Sequence, residues 1–438
     1  MGDMTHPGFV ARRRPRRHAS PRPWTAPASE RSTNALGMRH GGPRCGARRW
    51  YHAAAMTRDT ALLEECRALV EAIRPYPTLE TLHASPGWPA LEPRIRRLLN
   101  TPRLFAPPAE PVAPALPGAI RAVHWNLEHG NRYEMIERAL LEHSELRGAD
   151  LVFLNETDLG MARSGNRDIV SELARALGLH GVFAPLFLET SSGRDDDGTL
   201  AGTAENQEAL FGLGILSRWP VAGARIVELP SPERFQFEVE RMVGRHVGLI
   251  VTVERPGAPF VAAAAHLEVH RSRAHRAAQM HAVVAALRDE TLPVILAGDF
   301  NSHTFDRGRV RAPLMGAGAL LLTPGWSLRR RLLHPDQGPL HELLFDELRR
   351  AGFEWAPYVD RRPTLQLRLD RLLEARPLFG SRHRLVRRVL GWAEERGKLR
   401  LDWFAGRGWE SGRGFTVPGL DGIGRASDHA PIVAEFRG

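Results

Sequence analysis

Four apolar runs along this 438-residue chain finish in the same way. AVHW leads into Asn126 and Glu128, LVFL into Asn155 and Glu156, FVAAAA into His266, and VILAG into Asp299 and Asn301. Near the C-terminus, KLRLDWFAGRG puts Asp402 in a further run, and RASDHAPIVAEF sets Asp428 and His429 just before the last one. Short apolar, β-branched runs bounded by turn residues read as buried strands. A carboxylate at a strand's end costs free energy unless water, a donor or a cation receives it. A single polar strand end is an Asx turn. Six that repeat the same residue types point to one shared site, so the strands must be arranged with these ends together.

Helical spacing fills the gaps between the runs. TRDTALLEECRALVEAIRPY (57–76) carries Leu62, Leu63, Cys66, Leu69, Val70 and Ile73 on one face, with Thr60 as the expected N-cap. Further helices are expected at 91–100, 133–147, 167–179 and 274–290, and strands at 208–221, 246–254 and 258–269. Strand and helix alternate, which predicts an α/β layered domain, and the antiparallel-looking pairs predict a mixed sheet. FAPPAEPVAPALPG (105–118) has poor helix and strand prospects and reads as a Pro/Ala linker. The expected organisation is a disordered Arg/Pro-rich segment over 1–55, a short helical extension over 56–104, the linker over 105–118, and the main domain over 119–438.

The net charge of +10 suggests a nucleic-acid partner, but residues 1–55 carry eleven arginines against Asp3 and Glu30 and so hold nine of those charges. The rest of the chain is almost neutral, which argues against tight non-specific duplex binding. The basic segment reads either as a nucleic-acid arm or anionic-surface tether, or as arginine-biased read-through before a translation start at Met56. Cys45 and Cys66 make neither a disulfide framework nor a zinc site. No apolar run is long enough for a membrane span and no signal-peptide core follows the arginines, so a cytoplasmic location is the expectation. His266, His270, His275 and His281 are spaced four, five and six residues apart, which fits no zinc pattern, and the last three read as helix surface. Trp125, Trp219 and Trp403 read as core.

Carboxylates, amides and histidines gathered at strand ends suit hydrolysis at phosphorus. A hard divalent cation is held by one or two carboxylates and neutralises the phosphate. A histidine takes the proton of the attacking water while a carboxylate fixes its tautomer, and amide and imidazole donors bind the non-bridging oxygens.

The order WNLE, LNE, GILSR, AHL, GDFN, LDW, SDH resembles the endonuclease/exonuclease/phosphatase superfamily over roughly residues 120–437. That superfamily includes deoxyribonuclease I, abasic-site endonucleases, deadenylases, neutral sphingomyelinases and inositol polyphosphate 5-phosphatases. The resemblance implies a four-layer α/β sandwich of two mixed β-sheets packed face to face and flanked by helices. It implies Mg2+ as cofactor, with Mn2+ as a substitute. Glu156 would be the principal metal ligand with Asn126 beside it, and Asp428 a further ligand. Asp299 would hold the nucleophilic water or ligate metal, Asn301 would bind phosphate, and His266 would donate to the phosphate or act as an acid. His429 would be the general base and Asp402 the carboxylate that orients it, its RLDWF setting matching better than RLDRL around Asp370. AHLEVHRSRAHRAAQ resembles the deadenylase, sphingomyelinase and deoxyribonuclease I branches, in which HL is followed by an Arg and a Gln on a helix.

Segments 161–178 and 188–208 fall where substrate loops are expected. Within them Arg163 and Arg167 read either as phosphate grips or as solvated charges, and Asp195–Asp197 as a second cation site or a solvated run. Glu205 or Glu208 is the candidate partner for His266. The expected function is a monomeric Mg2+-dependent phosphoesterase acting on a phosphodiester, either a nucleic acid or a small or lipid phosphodiester. The alternative is a catalytically inactive nucleic-acid- or protein-binding module that uses the arginine arm.

Overall fold

The computed structural model describes residues 59–107, 118–193, 196–304, 323–366, 396–420 and 423–438. The arginine-rich segment, most of the Pro/Ala linker, Asp195 and the stretch around Asp370 lie outside these residues. Arg58–Gly438 form one compact unit.

Fifteen strands occur among the described residues: β1 (Arg103–Phe105), β2 (Ala119–Asn126), β3 (Leu151–Leu159), β4 (His180–Glu189), β5 (Leu210–Ser217), β6 (Val221–Glu228), β7 (Met242–Gly244), β8 (Val247–Val253), β9 (Phe260–His266), β10 (Val294–Asp299), β11 (Leu365–Gln366), β12 (Lys398–Leu399), β13 (Asp402–Arg407), β14 (Ser411–Thr416) and β15 (Ile432–Arg437). One large sheet runs β1-β4-β5-β3-β2-β15-β14, with β7 also on β4; the other large sheet runs β13-β10-β9-β8-β6, and β11 and β12 form a separate antiparallel pair. Both large sheets are mixed: β2–β3 and β9–β10 are parallel pairs among antiparallel ones.

Side chains alternate between a strand's two faces, and that alternation sorts the core into layers. Ile120 and Ala122 of β2, Leu151 and Phe153 of β3, Ala262 and Ala264 of β9, Ile295 and Ala297 of β10, and Phe404 of β13 fill the space between the sheets. Their odd-numbered or even-numbered counterparts, such as Val123, Trp125, Val152 and Leu154, face helices Thr60–Ile73, Trp88–Leu99, Tyr133–Glu142 and Ile169–Leu177. On the far side, Val261, Leu296, Trp403 and Ala405 face helices Arg273–Ala286 and Leu344–Arg350. The result is a four-layer α/β sandwich, helices on sheet on sheet on helices. Trp125, Trp219 and Trp403 are all buried.

Several details depart from the sequence reading. The first helix is capped by Asp59, whose carboxylate accepts from Leu62 N, one residue before the expected Thr60. Helix Tyr133–Glu142 stops short of residue 147 because His143 is already extended. Strand β4 is not among the strands expected from the sequence, and its last two residues fall in the segment read as a substrate loop. Pro185 sits at a bulge against β5, the place in a sheet where a missing N–H is tolerated. The helices of 60–99 pack into the main core through Cys66, Leu69, Ile73, Ile95 and Leu99, and β1 adds a strand to the sheet edge. Burial there pushes the Cys66 thiol up to about 12.

Candidate active site

The same alternation places the polar strand ends. On β2, the parity that turns Ile120 and Ala122 inward also turns His124 and Asn126 inward. On β9, β10 and β13 it does so for His266, Asp299 and Asp402. Register then sets them side by side: Asn126 opposes Asn155, and Asp299 lies between His266 and Asp402. Gly298 is required for this approach, because a Cβ there would fall 1.8 Å from the Ala265 carbonyl oxygen.

Glu156 breaks the rule in a useful way. Parity would send it outward with Val152 and Leu154. The β3–β5 register slips between Leu154 and Thr157, and Glu156 takes a φ of 51°, in the left-handed region. This bulge re-aims its carboxylate into the cluster at some cost in backbone strain.

The carboxylates converge. Asn126 Nδ2 donates to Glu156 Oε1 at 2.9 Å and to Asp299 Oδ2 at 3.2 Å, while its Oδ1 accepts from Glu128 N. His266 Nε2 lies 3.8 Å from Glu156 Oε1 and 3.7 Å from Asp299 Oδ2. Asn155 Oδ1 accepts from Asp299 N at 2.8 Å, Asn301 N donates to Asp299 Oδ1, and Asn301 Nδ2 donates to Leu267 O. Glu156, His266 and Asp299 each offer a ligand atom within 4.8 Å of one another, and the two carboxylates are the oxygen donors a hard cation takes. Burial pushes the Glu156 carboxyl up, the His266 charge opposes this, and the Asp428 charge adds to it.

His429 faces the same pocket. Its Nδ1 lies 2.7 Å from Asp402 Oδ2 and its Nε2 lies 3.8 Å from Asp299 Oδ2. Burial alone would depress this imidazole, but the Asp402 charge and hydrogen bond, with Asp299 and Asp428 behind them, hold it well above its ordinary range. Asp402 is driven the other way: burial opposes its ionisation, and the two histidines beside it outweigh that. The main chain of His429 is fixed by Trp125 Nε1, which donates to its carbonyl, and by Ser427 Oγ, which accepts from its amide.

The structure therefore brings together Asn126, Glu156, His266, Asp299, Asn301, Asp402 and His429, with the Asp428 charge acting on both Glu156 and His429. The matching family model is that of the Endonuclease/Exonuclease/phosphatase family, over residues 123–429. The chain belongs to this family. The matched span starts on β2 and ends at His429, so it contains every one of these side chains. No curated protein matches the chain. Among solved structures it is similar to an endonuclease/exonuclease/phosphatase from Beutenbergia cavernae DSM 12333 (19% identity, 73% of this chain and 71% of that one, TM-score 0.43). It is also similar to the human Nocturnin catalytic domain (13%, 78% and 98%, 0.40) and to beta toxin from Staphylococcus aureus (14%, 72% and 99%, 0.42).

Within this endonuclease/exonuclease/phosphatase chain, some expectations about individual residues change. Arg163 is neither a free phosphate grip nor a solvated charge. It is buried, with its fork taken up by Asp158 (2.9 and 2.8 Å) and Glu189 (3.1 and 2.7 Å). Asp197 also pairs with Arg163, at 3.2 Å, which accounts for its charge without a second cation. Burial in that network pushes Glu189 up to about 7. Arg167 bonds Glu172 and Glu134 and lies over the Tyr133 ring. The carboxylates beside His266 are Glu156 and Asp299, whereas Glu208 packs against Gly160. His281 is exposed and pairs with Glu347, and His270 is exposed in the loop before the helix, against Phe235, but His275 is not a surface residue: it is half-buried with its Nε2 enclosed. No helix among the described residues is long and apolar enough to cross a membrane.

Two supports were not anticipated. Arg276 and Gln279, the Arg and Gln that follow HL, brace the strand-end loops. Gln279 accepts from Glu268 N, and Arg276 pairs with Glu342 at 3.1 and 2.6 Å, both side chains being fully buried. Glu342 also accepts from Thr304 N, three residues beyond Asn301. Removing one partner of a buried pair leaves the other charge uncompensated. Glu342→Gln is therefore expected to destabilise the protein by about 3–5 kcal/mol in urea unfolding. A loss under about 1 kcal/mol would mean that the pair is not buried as described. His124 is the second unexpected support, hydrogen-bonded to Asp402.

Proposed function

We propose that this family member is a divalent-cation-dependent phosphodiesterase. The reading rests above all on a half-buried Glu156 and a buried Asp299 converging opposite a His429–Asp402 pair. Glu156, Asp299 and Asp428 would hold the cation, Mg2+ or in its place Mn2+. When bound, it supplies charge to offset the phosphate and the developing negative charge on oxygen. Asn126, as placed, fixes the two carboxylates through its amide nitrogen; it would become a ligand only with its oxygen turned inward. His429 is the acceptor for the proton of the attacking water, through Nε2. Asp402 keeps the His429 proton on Nδ1 and supports the imidazolium that forms. His266 and Asn301 line the pocket as donors to the non-bridging oxygens. The substrate class is a phosphodiester, and the chain works as a monomer.

The test is turnover of bis-p-nitrophenyl phosphate, single-stranded DNA, RNA and sphingomyelin by the full chain, with Mg2+ or Mn2+ and with chelator, using Asp299→Ala as the blank. Metal-dependent release of product by the wild type and not by the variant is expected. Equal turnover by the two proteins would refute the assignment. A rate on the nucleic acids that falls steeply with salt would mark them as the substrates.

A further inference from the structure

His124 stands in the apolar run of β2 and is fully buried. Alternation turns it into the space between the sheets, where Phe404 packs edge-on against its ring. Its Nε2 lies 2.9 Å from Asp402 Oδ1, and His429 Nδ1 lies 2.7 Å from Asp402 Oδ2. The remaining nitrogen of His124, Nδ1, is buried and has no hydrogen-bond partner. A proton on Nδ1 would be a buried donor with nothing to receive it, whereas a bare nitrogen there leaves no donor unsatisfied. The ring proton therefore sits on Nε2 and is donated to Asp402. Each oxygen of that carboxylate then accepts from a different imidazole.

We propose that His124 is a positioning residue for His429, acting through Asp402. It pins one carboxylate oxygen from the neighbouring sheet, so that the other keeps its bond to His429 Nδ1 and leaves Nε2 toward the pocket. The His429 main chain is held separately, by Trp125 and Ser427, so His124 governs the carboxylate and not the placement of the loop. The consequence for turnover rests on the phosphodiesterase reading; the geometric effect on the His429 ring does not.

Three variants of the full chain test this. Gln places a donor about as far out as imidazole Nε2, Asn falls short of it, and Leu has none. His124→Leu and His124→Asn are expected to lower kcat roughly tenfold to a hundredfold with KM unchanged, and His124→Gln to restore most of it. In cation-free 15N-labelled protein, the strongly hydrogen-bonded Nδ1 proton of His429 is expected far downfield in the wild type. It should move upfield or vanish with Leu or Asn, and return with Gln. If Leu prevents folding, the Gln–Asn comparison decides. Equal impairment by Gln and Asn, or an unchanged His429 resonance in the Asn variant, overturns the proposal. If the wild type turns over none of the phosphodiesters, the function assignment fails, and the resonance alone upholds or overturns the role of His124.

Discussion

Asp402→Asn is expected to lower kcat by roughly 10³–10⁴-fold, the scale seen when a histidine loses its orienting carboxylate, while leaving the fold intact. Asp402 meets two imidazole nitrogens, His124 Nε2 on one oxygen and His429 Nδ1 on the other. A carboxylate accepts from both. An amide of the same shape offers one acceptor and one donor, so one histidine must present a bare nitrogen to it. If that histidine is His429, its proton moves to Nε2, where the attacking water's proton has to go. If it is His124, a proton moves to the buried Nδ1, which has no partner. The first case blocks Nε2, the second leaves a buried donor unsatisfied, and in both the negative charge that supports the His429 imidazolium is gone. Glu156 and Asp299, on β3 and β10, are untouched, so cation affinity should change little. The measurement is single-turnover kinetics beside cation binding by calorimetry. A kcat within tenfold of wild type would show that Asp402 does not orient His429.

Much of this pocket is written in the chain's period of two. Once 120–126, 260–266 and 294–299 are strands, the apolar positions facing the other sheet fix where Asn126, His266 and Asp299 point. The convergence of these strand ends was legible because each polar residue continues an inward-facing apolar series. What parity cannot give is Glu156, whose carboxylate enters only through a bulge and a positive φ. Its place at the end of LVFL marked it as a candidate, but its metal-ligand role came from the resemblance and not from periodicity. His124 was missed because a single histidine inside AVHW looks like part of a buried run; its partner lies 278 residues away. Glu342 was missed for the same reason, its pairing with Arg276 spanning 66 residues through no local pattern. Arg163 was misread because a charged side chain in a Gly- and Asn-containing loop is usually solvated. Only the fold brings Asp158 and Glu189 to either side of its guanidinium. Long-range pairing of charge is the part of such a site that local sequence does not encode.

The second large effect concerns the competition between protons and a cation for the same pocket. In chelator, the melting temperature of the wild type is expected to fall as pH rises from about 6 to about 9. Glu156 is held above its ordinary range, first by burial and then by the Asp428 charge. Folded protein therefore keeps that proton at a pH where the unfolded chain, near 4.3, has lost it. His429 is likewise raised, Asp402, Asp299 and Asp428 outweighing burial. Its contribution is fully present below the unfolded value near 6.5 and is lost as pH climbs through the folded one. For both groups the native state binds more protons than the unfolded state, so stability drops with rising pH. Mg2+ reverses the sign, because the cation-bound pocket favours the deprotonated carboxylate and the neutral imidazole. Its stabilisation, about 2.7 kcal/mol at a hundred times its dissociation constant, should grow with pH and raise the midpoint by a few degrees. Glu156→Gln separates the causes: Gln Oε1 still accepts from Asn126, but the buried charge opposite Asp299 is gone. The chelated variant should be more stable than chelated wild type above neutral pH, by about 1–2 kcal/mol, and should lose most of the Mg2+-dependent rise. Differential scanning calorimetry of both proteins, with Mg2+ and with chelator, reads all four curves. A wild-type midpoint that is flat with pH in chelator would refute proton retention by Glu156 and His429, and a Mg2+ shift that survives Glu156→Gln undiminished would place the cation somewhere other than between Glu156 and Asp299.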